Sequence, residues 1–172
     1  TLIPSATADD IVFASGGANF TVMGNTFSTA SVSEILFDRS EVQPATLGVR
    51  YSESGAQVTV SADVAPLLHI TVNGGHVAVL ADAALDSEVT YTLSGSSSNG
   101  SFWMDGEFKS TLCLDNLSLT NPDSAAVCIE NGKRIAVVLP EGSVTTLADG
   151  VGGQQKACFF INGHAEFKGN GT

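Results

Sequence analysis

The sequence predicts an all-β protein: the N-terminal coils of a right-handed parallel β-helix, entered through a leading β-segment. Three observations lead there. Short runs rich in β-branched and aromatic residues recur along the chain, turn-forming residues bound each run, and the combination repeats at a long interval. Helical periodicity is scarce.

In chain order the runs are "NFTVMG", "SEILFD", "AQVTVSA", "HITVNG", "HVAVLA", "VTYTLSG", "STLCLDNLSL", "RIAVVLP" and "ACFFING". Each ends at Gly, Asn, Asp, Ser or Pro, residues that permit a turn or compete for the backbone's hydrogen bonds. From Leu68 onward they group into four units, anchored on Gly74, Gly106, Gly132 and Gly163 at intervals of 32, 26 and 31 residues. A hairpin sandwich would show turns about every 8–12 residues without this longer repeat. A unit of about 20–30 residues with three strand segments suits one coil of a solenoid, which pairs with the coils above and below it. Each anchoring glycine is expected to supply a positive φ at its corner. Residues 1–65 are then the leading β-segment and residues 66–172 the coils.

Composition narrows the function classes. The 172 residues suit one domain, or one with a small leading unit. Seven basic and 18 acidic residues give a net charge of −11, a field that repels nucleic acid and anionic membrane surfaces. The same field attracts cations, and calcium is the natural one for a surface rich in Asp, Glu and Asn. Cys113, Cys128 and Cys158 sit in apolar runs without a CxxC pair or flanking His, so they read as buried free thiols. The chain opens on "TLIPSATADD", with no Met, no signal-like apolar region and no membrane span; a mature exported chain fits that start, and so does a cytosolic chain trimmed at its N-terminus.

Four motifs in order carry a family resemblance: "VTYTLSGSSSNGSF", then "LCLDNLSLTNPDSAAVCIENGKRIAVVLPEGSVTTLADG" with its "GKRIAV" and "TLADG", and a closing "QKACFFINGHAEFKGNGT". The stretch from about residue 49 to residue 172 resembles exported carbohydrate-binding domain-containing proteins of Bacteroides-type and clostridial bacteria, β-helices related in fold to pectate lyases. Residues 1–48 carry no such motif. The resemblance implies a non-catalytic polysaccharide-binding protein, secreted or held at the cell surface, with polysaccharide as partner. Two alternatives are an adhesin-like scaffold for a protein partner and a calcium-dependent polysaccharide lyase relative. It also implies more coils beyond residue 172, among them the Asp-rich ones most suited to calcium. An open last coil leaves strand edges bare, so residues 156–172 are expected to pair with another chain or lie under the N-terminal segment.

Candidate site residues cluster around "NGSFWMDGEF", which holds the single tryptophan. Sugar rings present apolar C–H faces to flat aromatics, while carboxylates accept from their hydroxyls. The carbohydrate-binding candidates are therefore Phe102, Trp103, Asp105, Glu107 and Phe159, with Tyr91 as a further aromatic. Strand alternation sets which of these face solvent. Glu130 is expected outside, which turns Ile129 inward; counting from the corner glycines then places Trp103 in the core beside Phe160, with Phe102 and Met104 outside. Asp105 and Glu107 bracket a turn and are the pair best spaced to share a cation, although Asp-Gly is also ordinary turn chemistry. No catalytic signature emerges. His69, His76 and His164 lack triad or metal partners in sequence, Lys109, Lys133 and Arg134 read as solvated edges, and no phosphate-loop pattern exists.

Overall fold

A computed structural model describes residues 44–150, 155 and 157–172, together with three short strands near the N-terminus. The run "SEILFD" lies outside the described residues. The chain divides into two compact units, Thr1–Val42 and Gln43–Thr172. In the first, β1 (Ile11–Phe13), β2 (Asn19–Val22) and β3 (Asn25–Ser28) form an antiparallel meander in which Phe13 pairs with Phe20 and Phe20 with Phe27.

The second unit carries the remaining strands. They are β4 (Thr46–Ser52), β5 (Gly55–Val60), β6 (Leu68–Asn73), β7 (Gly75–Ala81), β8 (Val89–Ser97) and β9 (Gly100–Asp105). β10 (Ser110–Asn121), β11 (Val127–Ile129), β12 (Ile135–Leu139), β13 (Thr146–Asp149), β14 (Phe159–Ile161) and β15 (Ala165–Gly169) follow. A 3-10 turn at Ala65–Leu67 precedes β6. One sheet runs β15-β12-β10-β8-β4-β5, with β13 also on β10; the other runs β14-β11-β9-β7-β6.

The all-β expectation holds, but the right-handed parallel β-helix does not. Parallel ladders run through β4, β8, β10, β12 and β15 and through β7, β9, β11 and β14. Each sheet nevertheless starts with an antiparallel hairpin, β4 with β5 and β6 with β7, so both sheets are mixed and open. They face each other over one core in a sandwich-like arrangement. The reason is local. "SES-G" and "NGG" are tight hairpin turns, with Gly74 at φ 57, and such turns reverse the chain rather than advance it to another coil. A repeat of turn signals does not reveal which turns reverse.

The corner glycines also differ from expectation. Gly74 alone of the four has positive φ. Gly106 is required for space instead, since a Cβ there would lie 2.9 Å from that of Ala81. Two buried asparagines do much of the corner work. Asn121 donates to the Ala125 carbonyl at 2.8 Å, and Asn131 donates to that of Phe108 at 2.6 Å. Each also accepts a backbone N–H two residues on, satisfying groups that would be costly to bury unpaired.

Alternation builds the core. Leu47, Val49 and Tyr51 of β4, Val89, Tyr91 and Leu93 of β8, and Leu112 and Leu114 of β10 point in from one sheet. Val77 and Val79, Phe102 and Met104, and Val127 and Ile129 meet them from the other. Each large side chain so buried contributes roughly 1.5–3 kcal/mol. In β10 an irregularity between Asp115 and Leu117, with Asn116 at φ 50, restarts the phase so that Leu117 and Leu119 also face inward. The Tyr91 and Phe102 rings meet across the core, centroids 6.0 Å apart and tilted by 56°. The Tyr51 hydroxyl crosses between the sheets to donate to the Ser101 carbonyl at 3.0 Å.

Burial pushes the Tyr91 phenol up to about 12, and its hydroxyl has no hydrogen-bond partner among the described residues. An unpaired buried polar atom costs about 1–3 kcal/mol. Tyr91→Phe is therefore expected to leave stability unchanged or raise it by about 1 kcal/mol, read as the urea midpoint. A clear loss of stability would reveal a partner for that hydroxyl.

A charge network crosses the larger sheet near the starts of β8, β10, β12 and β15. Glu88 meets Lys109 at 3.4 Å and Arg134 at 3.9 Å, and Glu166 meets Arg134 and Lys168 at 3.2 Å each. The Thr111 hydroxyl, donating to Glu88 at 2.8 Å, is the main influence holding that carboxyl below its usual range; Lys109 and Arg134 add to it against partial desolvation. A carboxyl depressed by folding adds stability above its unfolded value and loses it as pH falls through the lower folded one. Thr111→Val should cost under about 1 kcal/mol at neutral pH, as befits a half-exposed group. The difference should vanish below the ordinary carboxylate range, as denaturation across a pH series will show.

Candidate functional site

The same alternation that fills the core fixes the opposite, solvent-facing side of the five-stranded sheet. With Val77, Phe102, Val127 and Phe159 in register and turned inward, the next residues along turn outward: Ala78, Trp103, Cys128 and Phe160. Thr71 of β6 pairs with Ala78 and extends this row to the sheet's edge. Trp103 thus stands beside the small Ala78 on one side and Cys128 on the other. Phe160 lies two strands away, about 10 Å at ordinary strand spacing. Both aromatic rings are partly exposed.

Polar groups flank the aromatic row. On one side Asn73, His76 and Ser101 are in register, and His76 Nδ1 lies 2.9 Å from the Ser101 hydroxyl. On the other come Leu80, Asp105, Glu130 and Asn162. Asp105 accepts the Gly106 N–H at 2.8 Å, using one carboxylate oxygen. Glu130 accepts from the Asn162 amide at 3.2 Å and from the Cys128 thiol at 3.6 Å. Burial, then the Glu130 charge, push that thiol up to about 11, so Cys128 is a protonated filler of the face. None of the five strands carries a Lys or Arg.

The structure brings only some of the sequence candidates to this face. Trp103 and Asp105 are on it. Phe102 is fully buried, so it cannot stack on a sugar, and the expected orientation of the pair is reversed: Phe102 and Met104 are core, Trp103 is outside. The count from glycine to glycine slipped by one residue in the unit around Ile129. Phe159 faces inward and meets Phe167 edge-on, centroids 6.0 Å apart. Glu107 is exposed in the turn beyond β9 and does not join the row of Asp105 and Glu130. Tyr91 is core.

Sequence reading placed Phe160 beside Trp103 but put both in the core, expected Glu130 outside without joining it to Asp105, and missed Ala78, Cys128 and Asn162 as neighbours. Their signal was available: aligning "SFWM", "AVCI" and "CFFI" by their inward apolar residues, instead of by the following glycine, gives the observed register. Lys109 and Arg134, read from the sequence as solvated edges, both pair with Glu88 on the other sheet. All three cysteines are free as expected, but only Cys128 is buried; Cys113 and Cys158 are half-buried, since Cys113 lies on the outer side of β10 and Cys158 just before β14. Among the described residues no three His, Cys, Asp or Glu side chains are grouped to hold a metal ion, and no helix is long and apolar enough to cross a membrane.

The outer face of the five-stranded sheet thus presents Trp103 and Phe160 between a row with His76 and Ser101 and a row with Leu80, Asp105, Glu130 and Asn162. The family is specific: the model for the carbohydrate-binding domain-containing protein family matches residues 73–172, more than half the chain, and the chain belongs to that family. A carbohydrate-binding domain-containing protein of Acetivibrio thermocellus is 26% identical over 148 residues, covering 78% of this chain and 49% of its own length. The polysaccharide lyase-like protein from C. thermocellum, solved as a gadolinium derivative, shares the fold with a TM-score of 0.57 at 22% identity. That likeness covers 73% of this chain and 50% of the solved one. The chain therefore spans about half the length of the relatives it matches.

The single tryptophan gives a direct optical check on this face. Trp103 emission should be red-shifted relative to a core indole and quenched by acrylamide in the native protein. A blue-shifted, unquenched signal would return Trp103 to the core.

Proposed function

We propose that the unit Gln43–Thr172 is a non-catalytic polysaccharide-binding module, secreted or displayed at the cell surface, and that it binds through the outer face of the five-stranded sheet. One observation carries this reading: Trp103 is presented outward between small neighbours, with Phe160 in the same row. Membership of the carbohydrate-binding domain-containing family supports it. Two aromatic rings two strands apart suit simultaneous stacking on separate rings of one extended glycan chain. His76, Ser101, Asp105 and Asn162 border that path with donors and acceptors for hydroxyls.

The reading favours binding over turnover on physical grounds. The face is open to water, its His76–Ser101 pair has no carboxylate to orient the imidazole among the described residues, and lyase chemistry would need a basic residue that none of the five strands supplies as Lys or Arg.

The test is binding of the purified chain to a broad polysaccharide panel, with calcium and again with chelator, read by Trp103 fluorescence and by retardation in polysaccharide gels. Trp103→Ala should weaken binding at least about tenfold, equivalent to roughly 1.4 kcal/mol, and Phe160→Ala should weaken it less. Loss of binding in chelator would add a cation to the site. If no polysaccharide perturbs Trp103, or if Trp103→Ala binds as well as the parent, the reading fails.

A further inference from the structure

We propose that the outer edge of β15 is a homodimer interface, at which two copies of this chain pair their β15 strands antiparallel about a two-fold axis at Phe167. The interface lies on the seven-stranded sheet and stands whether or not the Trp103 face binds glycan.

β14 and β15 end their two sheets, and among the described residues no strand pairs beyond either. Phe167 is in register with the buried Val137 and so carries its ring on the core side, yet it is 63% exposed. Its ring meets that of Phe159, on the last strand of the facing sheet. The core thus ends in an uncovered apolar layer beside an open strand edge, a combination that favours the addition of another strand.

The backbone at this edge is oriented for pairing. The Ile135 N–H donates to the His164 carbonyl at 2.9 Å. Alternate residues of a parallel strand face its partner, so Glu166 and Lys168 direct their N–H and C=O groups to β12. Ala165, Phe167 and Gly169 direct theirs to the open edge. An antiparallel copy of β15 must therefore set these outward-directed residues against one another. The registers that keep most of the strand paired are centred on Glu166, Phe167 or Lys168. Centring on Glu166 opposes two carboxylates, and centring on Lys168 opposes two ammonium groups. Centring on Phe167 instead sets Glu166 against Lys168 twice, at the positions where opposed Cα atoms approach to about 4.5 Å. It also sets Phe167 against its own copy, where the two residues exchange both backbone hydrogen bonds and cover each other's rings. The pattern Glu-Phe-Lys is complementary to itself when inverted about its centre. That selects a second copy as the occupant and a closed two-fold pair as the geometry.

The paired stretch is short. Gly169, at φ 99, bends the chain back so that the Gly171 N–H reaches the Leu139 carbonyl at 3.2 Å. Pairing is confined to Ala165–Gly169, and the dimer is weak and reversible. A two-fold axis normal to the sheet keeps both five-stranded sheets on one side, so the dimer presents two Trp103 faces together.

The experiment is sedimentation velocity of the full chain from about 1 µM to about 1 mM. It is run at about 0.15 M salt, which screens the repulsion between two acidic copies beyond about 8 Å. The parent should pass from monomer to dimer with a midpoint on the order of 100 µM. Over the same range the Phe167 amide should exchange with solvent more slowly as concentration rises, a readout that needs no variant. Lys168→Glu and Glu166→Lys each bring like charges together at both crossings and should each weaken association at least about tenfold. An equimolar mixture of the two variants sets acid against base at both crossings, and should recover association to within about threefold of the parent. The urea midpoint of each variant, read on dilute protein, confirms that it folds. A chain that stays monomeric throughout overturns the proposal, whether its edge is bare or covered by another segment. So does a dimer that either variant leaves intact, or a mixture that associates no better than its components.

Discussion

The meeting of Tyr91 and Phe102 across the core is the contact on which the rest of the arrangement depends. It joins the two sheets of the second unit at their middle, and it fixes the phase of β9. A strand has only two phases, and a slip of one residue exchanges its faces completely. Once Phe102 is turned in toward Tyr91, Trp103 has to turn out. The parallel registers with β7 and β11 carry the same phase to neighbouring strands, so Ala78, Cys128 and Phe160 follow Trp103 to the surface. The Trp103 face is thus the reverse side of the core.

This coupling makes the face rigid. Its aromatic groups sit on strands rather than on loops, and Phe102 and Met104, the inward neighbours of Trp103, are buried. The corners are held by Asn121 and Asn131, each of which satisfies a carbonyl and an N–H that the turning chain would otherwise leave unpaired. The other sheet has a different character. Across the starts of β8, β10 and β12 and on β15, Lys109, Arg134 and Lys168 pair with Glu88 and Glu166, away from the Trp103 face.

The mixed sheets show what a turn does to a repeat. The intervals between Gly74, Gly106, Gly132 and Gly163 describe a real periodicity, and neighbouring units do pair in parallel along β7, β9, β11 and β14. Gly74, though, lies inside a tight hairpin, and the same holds at Gly55, whose φ is 129. These two reversals give each sheet an antiparallel edge and make the assembly an open, sandwich-like pair of sheets. Hairpin turns and advancing turns use the same residues, Asn, Asp, Ser and Gly, so composition at a turn does not report the direction of the chain after it.

The all-β class, the positions of most strands from β5 to β12, the free thiols and the importance of the stretch around Trp103 were legible in the sequence, because β-branched runs and turn residues act locally. The family was legible too, through motifs that fall in order over the last half of the chain. Short strands of mixed apolar character such as β9 and β11 carry no sign of their phase: Phe, Trp, Met, Cys and Ile are acceptable on either face, and the choice falls to whichever residue finds a partner across the core. Tyr91 made that choice for Phe102. Asp105 and Glu130 became neighbours for the same reason, since residues 25 positions apart meet only when β9 and β11 pair in one particular register. Sequence determined which residues could recognise a ligand; tertiary pairing decided which of them share a surface, because register and facing are properties of two strands together.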